Sequence, residues 1–325
     1  MQTSPPFVEP LAHGVYVIDT GFVRPRFDAS HLIVEQGRAA FVDTGTNHAV
    51  PRLLEALESL RLARDAVDYV IATHVHLDHA GGAGALLQHL PSARLVVHPL
   101  GARHLVDPSR LMASARAVYG DAEVARSYGE LVGVPAEQVI ETHDGMALGL
   151  AGRALQFIHT PGHARHHHCI WDERSRGVFS GDTLGVAYPE FTRDARPWLI
   201  PATPPTQFDP EALRASVRRL LGLDPQRVYL THYGEVTDVA ELGTTFLARL
   251  EKIVQLGQTL RAHPQRAEAL RHGLGGLYQG WLREHRCPLE ETQALALLKL
   301  DIELNAQGMD HWLAGTGCAP PQERA

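Results

Sequence analysis

The sequence lacks several features that would point to other kinds of protein. It has no run of basic residues and a net charge of −7, which argues against a nucleic-acid-binding protein. No apolar stretch is long enough to span a bilayer. Residues 1–10 have neither the basic start nor the apolar run of a signal peptide. These absences predict a cytoplasmic protein with no membrane or nucleic-acid partner.

Cysteine is also scarce. The three cysteines, Cys169, Cys287 and Cys318, are odd in number and far apart, so we expect reduced thiols and no disulfide framework. No G-x-S-x-G pattern is present, which argues against a serine nucleophile of the α/β-hydrolase type. Apolar residues, at 44%, are sufficient to bury a core.

Histidine, in contrast, is abundant, with 20 residues, and an H-x-H-x-D-H pattern places four potential metal ligands within six positions. A strand-like run, residues 67–72, leads directly into this pattern. His74 and His76 point the same way in an extended chain, and Asp78 and His79 follow at a turn. This short loop can therefore aim two imidazoles at one metal ion, and a carboxylate with a third imidazole at a neighbouring one.

Three further candidate ligands each follow a predicted strand: His163, Asp182 and His232. A single histidine or aspartate in such a place is more often a turn residue or a helix cap. Together with the first motif, however, these residues supply two more imidazoles and a carboxylate that two metal ions can share. Ligands at the ends of rigid strands also make precise sites.

These motifs, together with V-D-T-G at residues 42–45, resemble in content and order those of the metallo-β-lactamase-fold hydrolase superfamily. The resemblance covers about residues 10–236. It implies an α/β fold, a four-layer αββα sandwich in which two mixed β-sheets are flanked by helices.

The resemblance also implies a role for each ligand in a site for two divalent metal ions, with zinc expected and iron or manganese as alternatives. The first metal would be bound by His74, His76 and His163, and the second by Asp78, His79 and His232. Asp182 would bridge the two ions. Asp43 would hold the histidine-rich loop in place through hydrogen bonds.

The segment Thr160-Pro161-Gly162-His163 is similar to the glyoxalase II-like branch of this superfamily. That branch commonly has glycine just before a later histidine, whereas this chain has His166 before His167. The run His166, His167 and His168 is interpreted either as the start of a strand with alternating faces, or as a place where one imidazole orients a metal ligand or contacts substrate.

A change of pattern after residue 235 predicts two regions. Residues 1–236 would form the metal-binding hydrolase domain, and residues 237–325 a helical C-terminal extension, because large apolar residues recur there every three to four positions. We interpret the glycines at 273, 275, 276 and 280 as helix breaks. The C-terminal helices could wall the pocket or help to form a homodimer.

The resemblance predicts a metal-dependent hydrolase in which a hydroxide held between two metals attacks the carbonyl of a small thioester, ester or lactone. Asp78 or Asp182 would orient the nucleophile or carry a proton. Tyr233 would either donate a hydrogen bond to the oxyanion or pack as a buried aromatic. Three alternatives stay open: phosphodiester cleavage at the same site, a mononuclear iron enzyme similar to persulfide dioxygenases, and a non-catalytic binding protein.

Overall fold

The first sheet of the computed structural model, which describes residues 5–315, contains seven strands. They are β1 (Val8–Pro10), β2 (Val15–Asp19), β3 (Ala29–Glu35), β4 (Arg38–Val42), β5 (Val67–Ile71), β6 (Arg94–Val97) and β7 (Val139–Glu141). Their spatial order follows the sequence, antiparallel from β1 to β4 and parallel from β4 to β7. The parallel half needs crossover connections, and these are helical.

The remaining strands form a second sheet and a two-stranded ribbon. They are β8 (Ala147–Leu150), β9 (Arg153–His159), β10 (His168–Asp172), β11 (Gly177–Gly181), β12 (Val186–Ala187), β13 (Leu199–Ile200), β14 (Arg227–Leu230) and β15 (Gly234–Val236). The second sheet has the order β15-β14-β11-β10-β9-β8, in which only β11 and β14 pair in parallel. Strands β12 and β13 form the ribbon.

Helices cover the outer faces of both sheets. They are α1 (Val50–Ser59), α2 (Leu77–Ala80), α3 (Ala83–Leu87), α4 (Pro99–Val106), α5 (Ser109–Tyr119), α6 (Asp121–Ser127), α7 (Pro210–Leu221), α8 (Val239–Leu260), α9 (Arg266–His285), α10 (Glu291–Leu297) and α11 (Lys299–Gly315). Leu53 and Leu57 of α1 are buried against the first sheet, and Leu213 and Val217 of α7 against the second.

A separate apolar layer lies between the two sheets. Ile33, Val42 and Ile71 from the first sheet pack in one cluster with Phe157 and Ile170 from the second. The predicted αββα sandwich is therefore confirmed, and the site described below lies where the ends of strands from both sheets meet.

Helix α8 packs against α7 and strand β13, and α9 to α11 pack on α8 and on one another, all within the apolar cluster that also contains residues of the second sheet. Phe246, Leu250 and Ile253 of α8 are fully buried there. Burying each of these side chains contributes about 1.5–3 kcal/mol, so the C-terminal helices are held firmly against the rest of the molecule. The boundary between residues 236 and 237 stays a prediction.

The prediction that four glycines break helices is wrong, because α9 runs without interruption through all of them. A helical glycine costs about 1 kcal/mol relative to alanine, but the buried residues of α9, such as Leu270, Leu274 and Tyr278, outweigh that cost. At Gly273 the small residue serves packing: a Cβ atom there would lie 2.7 Å from the side chain of Leu256 on α8.

The described helices were also compared with the requirements for crossing a bilayer. None of those in residues 5–315 is both long enough and apolar enough to do so.

Candidate metal centre

The candidate ligands follow the ends of four strands. His74 comes three residues after β5, His163 four residues after β9, Asp182 directly after β11 and His232 two residues after β14. Asp78 and His79 lie in the single helical turn α2. Strands from both sheets therefore deliver side chains to one edge of the sandwich.

The structure brings three imidazoles together in a first group. The Nδ1 atom of His76 lies 2.9 Å from Nε2 of His74 and 3.1 Å from Nε2 of His163. His74 and His163 are buried, and His76 is partly exposed. Three nitrogen atoms thus face a common point, which is what a metal ion with imidazole ligands requires.

A second group forms beside the first. Nε2 of His232 lies 3.6 Å from Oδ2 of Asp78, and His79 belongs to the same cluster. The carboxylate of Asp182 lies between the groups: one oxygen is 3.3 Å from Nε2 of His79, and the other is 3.4 Å from Nε2 of His163. The six predicted ligands other than Asp182 therefore fall into two sets of three with that carboxylate between them.

The donor atoms fit metal ions. Ligands about 2.1 Å from a tetrahedral zinc ion are about 3.4 Å apart, close to the separations around Asp182. Nε2 of His79 and Oδ1 of Asp182 are both buried and have no hydrogen-bond partner among the described residues. Since a buried polar atom without a partner is costly, a cation at this point would remove the deficit.

Hydrogen bonds on the far side of three imidazoles, those of His79, His232 and His163, fix which nitrogen faces the cluster. Nδ1 of His79 lies 2.8 Å from Oδ2 of Asp43, and Nδ1 of His232 lies 2.8 Å from the carbonyl oxygen of Phe27. Nδ1 of His163 lies 3.3 Å from the carbonyl oxygen of Ala202. Because these acceptors require an N–H at Nδ1, Nε2 of each ring is left with a free lone pair for a metal.

Asp43 is the common anchor of the ligand loops. Its fully buried carboxylate accepts hydrogen bonds from the backbone N–H and the hydroxyl of Thr73, at 2.8 and 2.9 Å, and from the hydroxyl of Thr231 at 2.8 Å, besides the bond from His79. Thr73 and Thr231 immediately precede His74 and His232. One carboxylate therefore ties a loop of the first sheet to a loop of the second.

The electrostatics of the cluster favour cations. Burial raises the cost of ionising Asp182, but nearby His79, His163 and His232 outweigh it and hold its pKa well below the ordinary value. Burial likewise opposes protonation of His79, yet Asp182 and other carboxylates hold the pKa of His79 well above its usual range. Burial and neighbouring imidazoles keep the pKa of His74 well below its usual value. The imidazole of His74 therefore stays neutral, while the ionised carboxylate of Asp182 draws positive charge to its side of the cluster.

The structure partly supports both interpretations of the run His166, His167 and His168. Strand β10 begins at His168, as a strand start requires. His167 contacts the backbone of Asp182: its Nε2 accepts a hydrogen bond from the backbone N–H of Asp182 at 3.3 Å, and its Nδ1 is 2.9 Å from the hydroxyl of Thr160. Gly181 makes this approach possible, since a Cβ there would lie 2.6 Å from Nε2 of His167, and its φ is +47°.

The side chain of Tyr233 does not face the cluster of candidate metal ligands. Its ring packs with Val17 and Ala29, and the guanidinium of Arg26 lies 5.2 Å from the ring centroid. Burial raises the pKa of Tyr233 to about 12. The geometry supports packing rather than hydrogen bonding to an oxyanion.

Some contributors to the site were missed from the sequence. Thr73 and Thr231 had a readable signal, since each forms a Thr-His pair directly after a strand. Asp28 had none: its carboxylate is fully buried 4.0 Å from Nδ1 of His232 and accepts a hydrogen bond from Thr20 at 2.6 Å. Burial raises the pKa of Asp28 to about 7.

Comparisons with known proteins agree with this geometry. The model of the metallo-beta-lactamase superfamily matches residues 23–232. The metallo-beta-lactamase fold-containing protein ST1585 of Sulfurisphaera tokodaii is 32% identical over 177 residues, which are 53% of this chain and 63% of that protein. A hydroxyacylglutathione hydrolase of Aeromonas hydrophila is 31% identical over 162 residues, 49% of this chain. The match spans 48% of that hydrolase, about half its length.

Solved structures share the fold. TTHA1429 of Thermus thermophilus, a metallo-beta-lactamase family protein, has a TM-score of 0.67 at 22% identity and covers 94% of each chain. The crystal structure of ST1585 has a TM-score of 0.64 at 22% identity, covering 92% of this chain and 99% of its own. With a family model across most of the αββα sandwich and the ligand motifs gathered at its edge, this chain belongs to the metallo-β-lactamase superfamily, whose members are largely metal-dependent hydrolases.

Proposed function

We propose that the protein is a binuclear metal-dependent hydrolase that cleaves a thioester, ester or lactone bond of a small molecule. The observation that carries this proposal is the position of Asp182, with one carboxylate oxygen facing His79 and the other facing His163. A carboxylate between two ligand groups is suited to two ions rather than one.

The proposed ligands of the two metal ions are the two groups of side chains described above. His74, His76 and His163 would hold one divalent ion, Asp78, His79 and His232 the other, and Asp182 would contact both. Imidazole and carboxylate donors suit zinc, with iron or manganese as alternatives. When bound, such ions supply a water nucleophile that is ionised near neutral pH and a Lewis acid for the substrate carbonyl.

Among the carboxylates, Asp78 is best placed to handle protons. Its side chain is 28% exposed, whereas that of Asp182 is 8% exposed and that of Asp43 is fully buried. A carboxylate that reaches the solvent-facing side of the cluster can orient a water molecule and pass a proton to the leaving group. Asp43 instead holds the ligand loops in fixed positions, and Asp182 would contact both ions.

The side of the candidate metal centre beside His232 combines an N-terminal loop with the C-terminal helices. The ring of Phe27 lies 5.2 Å from that of His232 and 6.3 Å from that of Tyr188. The hydroxyl of Tyr188 donates a hydrogen bond to the carboxylate of Asp301 on α11. We infer that the C-terminal extension closes this side of the pocket and excludes water from the acyl group of the substrate.

A relative supports the thioester class. The name hydroxyacylglutathione hydrolase describes an enzyme that hydrolyses an acyl thioester, and that relative shares about half its length with this chain. The segment Thr160-Pro161-Gly162-His163 supports the same choice.

The test is a panel of acyl thioesters, lactones and phosphodiesters assayed with the metal-loaded wild type and with Asp78→Asn. We expect hydrolysis of a carbonyl substrate, and a loss of about 100-fold or more in kcat for the variant. Asp68→Asn is the matched control, because Asp68 is also partly exposed but pairs with Arg38 at the strand β5. Turnover of phosphodiesters alone, or oxygen consumption with persulfides, would point to the alternative activities and reject the proposal.

A further inference from the structure

A cleft of about 850 Å³ opens between residues 193–199 and the helices α8 and α9. Its lining includes none of the candidate metal ligands. It is therefore separate from the metal centre, and its chemistry can be considered by itself.

Arg249 of α8 is the unusual residue of this cleft. Its guanidinium lies between two tryptophans, 5.1 Å from the ring centroid of Trp198 and 5.0 Å from that of Trp281. Within residues 5–315, its one hydrogen bond goes from Nη1 to the carbonyl oxygen of Leu199, and no carboxylate lies within ion-pair distance. Burial lowers the pKa of Arg249 to about 10, although the charge of Glu284 opposes this. Arg249 is partly buried, and Glu284 is near enough to act on its charge but does not form an ion pair with it. The guanidinium therefore has no directly bonded counter-ion.

Other cations surround the same point. Burial lowers the pKa of His285, and the positive charges of Arg249, Arg193 and Arg196 lower it further, so three guanidinium groups act on one imidazole. In the described part of the chain, Arg196 has no ion-pair partner, while Arg193 lies 3.4 Å from the carboxylate of Asp194. The acidic residues Asp238 and Glu241 line the cleft near the start of α8, and Glu284 lines it next to His285 on α9. The three guanidinium groups near His285 therefore outnumber the carboxylates of Asp194 and Glu284.

We propose that this cationic end of the cleft binds the oxyanion group, a carboxylate or a phosphate, of a small anionic molecule. Guanidinium groups recognise both oxyanions through paired N–H donors, which is why arginine is common where such groups are bound. The two tryptophan rings hold the Arg249 guanidinium in one orientation, so that little conformational freedom would be lost on binding. This site does not depend on the hydrolase activity.

Isothermal titration calorimetry of the metal-loaded protein with inorganic phosphate, and separately with succinate, tests the proposal. We expect binding of at least one of them, weakened ten-fold or more in Arg249→Met. Arg271→Met is the matched control, since Arg271 lies on α9 but is exposed and paired with Glu303, and its binding should equal that of the wild type. The tighter of the two probes tells phosphate from carboxylate recognition.

A second variant protects the test from a folding defect. Arg196 is exposed, so Arg196→Ala should fold normally and weaken binding at least three-fold. Without added anion, Arg249→Met should have a Tm equal to or above that of the wild type, because methionine keeps apolar packing between the two tryptophans and removes a cation that has no ion-pair partner. If neither probe binds, the proposal is overturned. It is also overturned if both variants bind the probe as the wild type does, because the anion would then occupy another place, such as the metal centre.

Discussion

At the scale of single residues, Asp43 holds the ligand loops from inside the protein. Its side chain accepts hydrogen bonds from Thr73, Thr231 and His79, and its backbone has a positive φ of +58°. Aspartate and asparagine adopt this conformation more readily than most residues, which accounts for a short polar side chain at this position.

Asp43→Asn should therefore keep the backbone while weakening the metal site. The amide removes the negative charge and turns one accepting oxygen into a donor. At the Oδ1 position that donor would face the Thr73 N–H, and at the Oδ2 position it would face His79 Nδ1–H. We expect the affinity for metal to fall about 10–100-fold, measured by competition with a chromogenic chelator. Asp68→Asn should leave the affinity unchanged; equal affinities for Asp43→Asn and wild type would show that Asp43 does not support the ligands.

The residue scale also shows what the sequence could and could not predict. His74, His76, His163, Asp182 and His232 could be identified because each follows a strand, and the ends of such strands meet at one edge. The direction of the Tyr233 side chain could not be predicted, because it depends on the local backbone conformation after β14, which the residue pattern does not specify.

At the scale of elements, α11 is joined to the rest of the molecule by a buried asparagine. Oδ1 of Asn305 accepts a hydrogen bond from the backbone N–H of Thr203 at 2.7 Å. Its Nδ2 donates to the carbonyl oxygen of Pro201 at 3.1 Å and to the hydroxyl of Tyr278 at 2.6 Å. One side chain thus links α11, α9 and the proline-rich segment after β13.

Asn305→Ala should lower the free energy of unfolding by about 3 kcal/mol or more, since it leaves three buried polar groups without partners at about 1–3 kcal/mol each. Urea unfolding measures this change. Gln307→Ala, two residues further along the same helix, removes an exposed side chain paired only with Glu303 and should change stability by less than about 0.5 kcal/mol. Similar effects of the two substitutions would contradict the role of Asn305.

Contacts between distant elements are the part of the structure that periodicity did not reveal. The pair of Tyr188 and Asp301 joins positions 113 residues apart, and no local pattern marks either residue. In helix α9 a local pattern was present but misleading. Its glycines predict breaks by intrinsic propensity, but packing against α8 decides its conformation. The strands and the amphipathic helices α1 and α7 were predictable because their own spacing specifies which face is buried.

At the scale of the whole molecule, the two sheets bury histidines outside the metal centre. The ring of His31 on β3 is 1% exposed and lies 5.5 Å from that of Phe179 and 5.8 Å from that of Tyr229. Burial lowers the pKa of His31 from 6.5 to about 4. The unfolded chain therefore binds a proton below about pH 6.5 that the folded protein does not accept until about pH 4.

It follows that this histidine stabilises the fold fully above about pH 6.5 and that its contribution is lost as the pH falls toward 4. The His31→Leu variant cannot titrate at this position. Between about pH 6 and 4, its free energy of unfolding should fall less steeply than that of the wild type, by up to about 1.4 kcal/mol per pH unit. Urea unfolding at several pH values compares the slopes, and loss of metal affects both proteins alike. Identical slopes would contradict the neutral state of buried His31.

The binuclear character of the site is the central claim, and the metal content of the protein tests it most directly. Elemental analysis of the full chain, purified without chelators, should give close to two divalent ions per chain, with zinc as the expected metal. One iron ion per chain with little other metal, or no bound metal at all, would contradict the two-metal hydrolase.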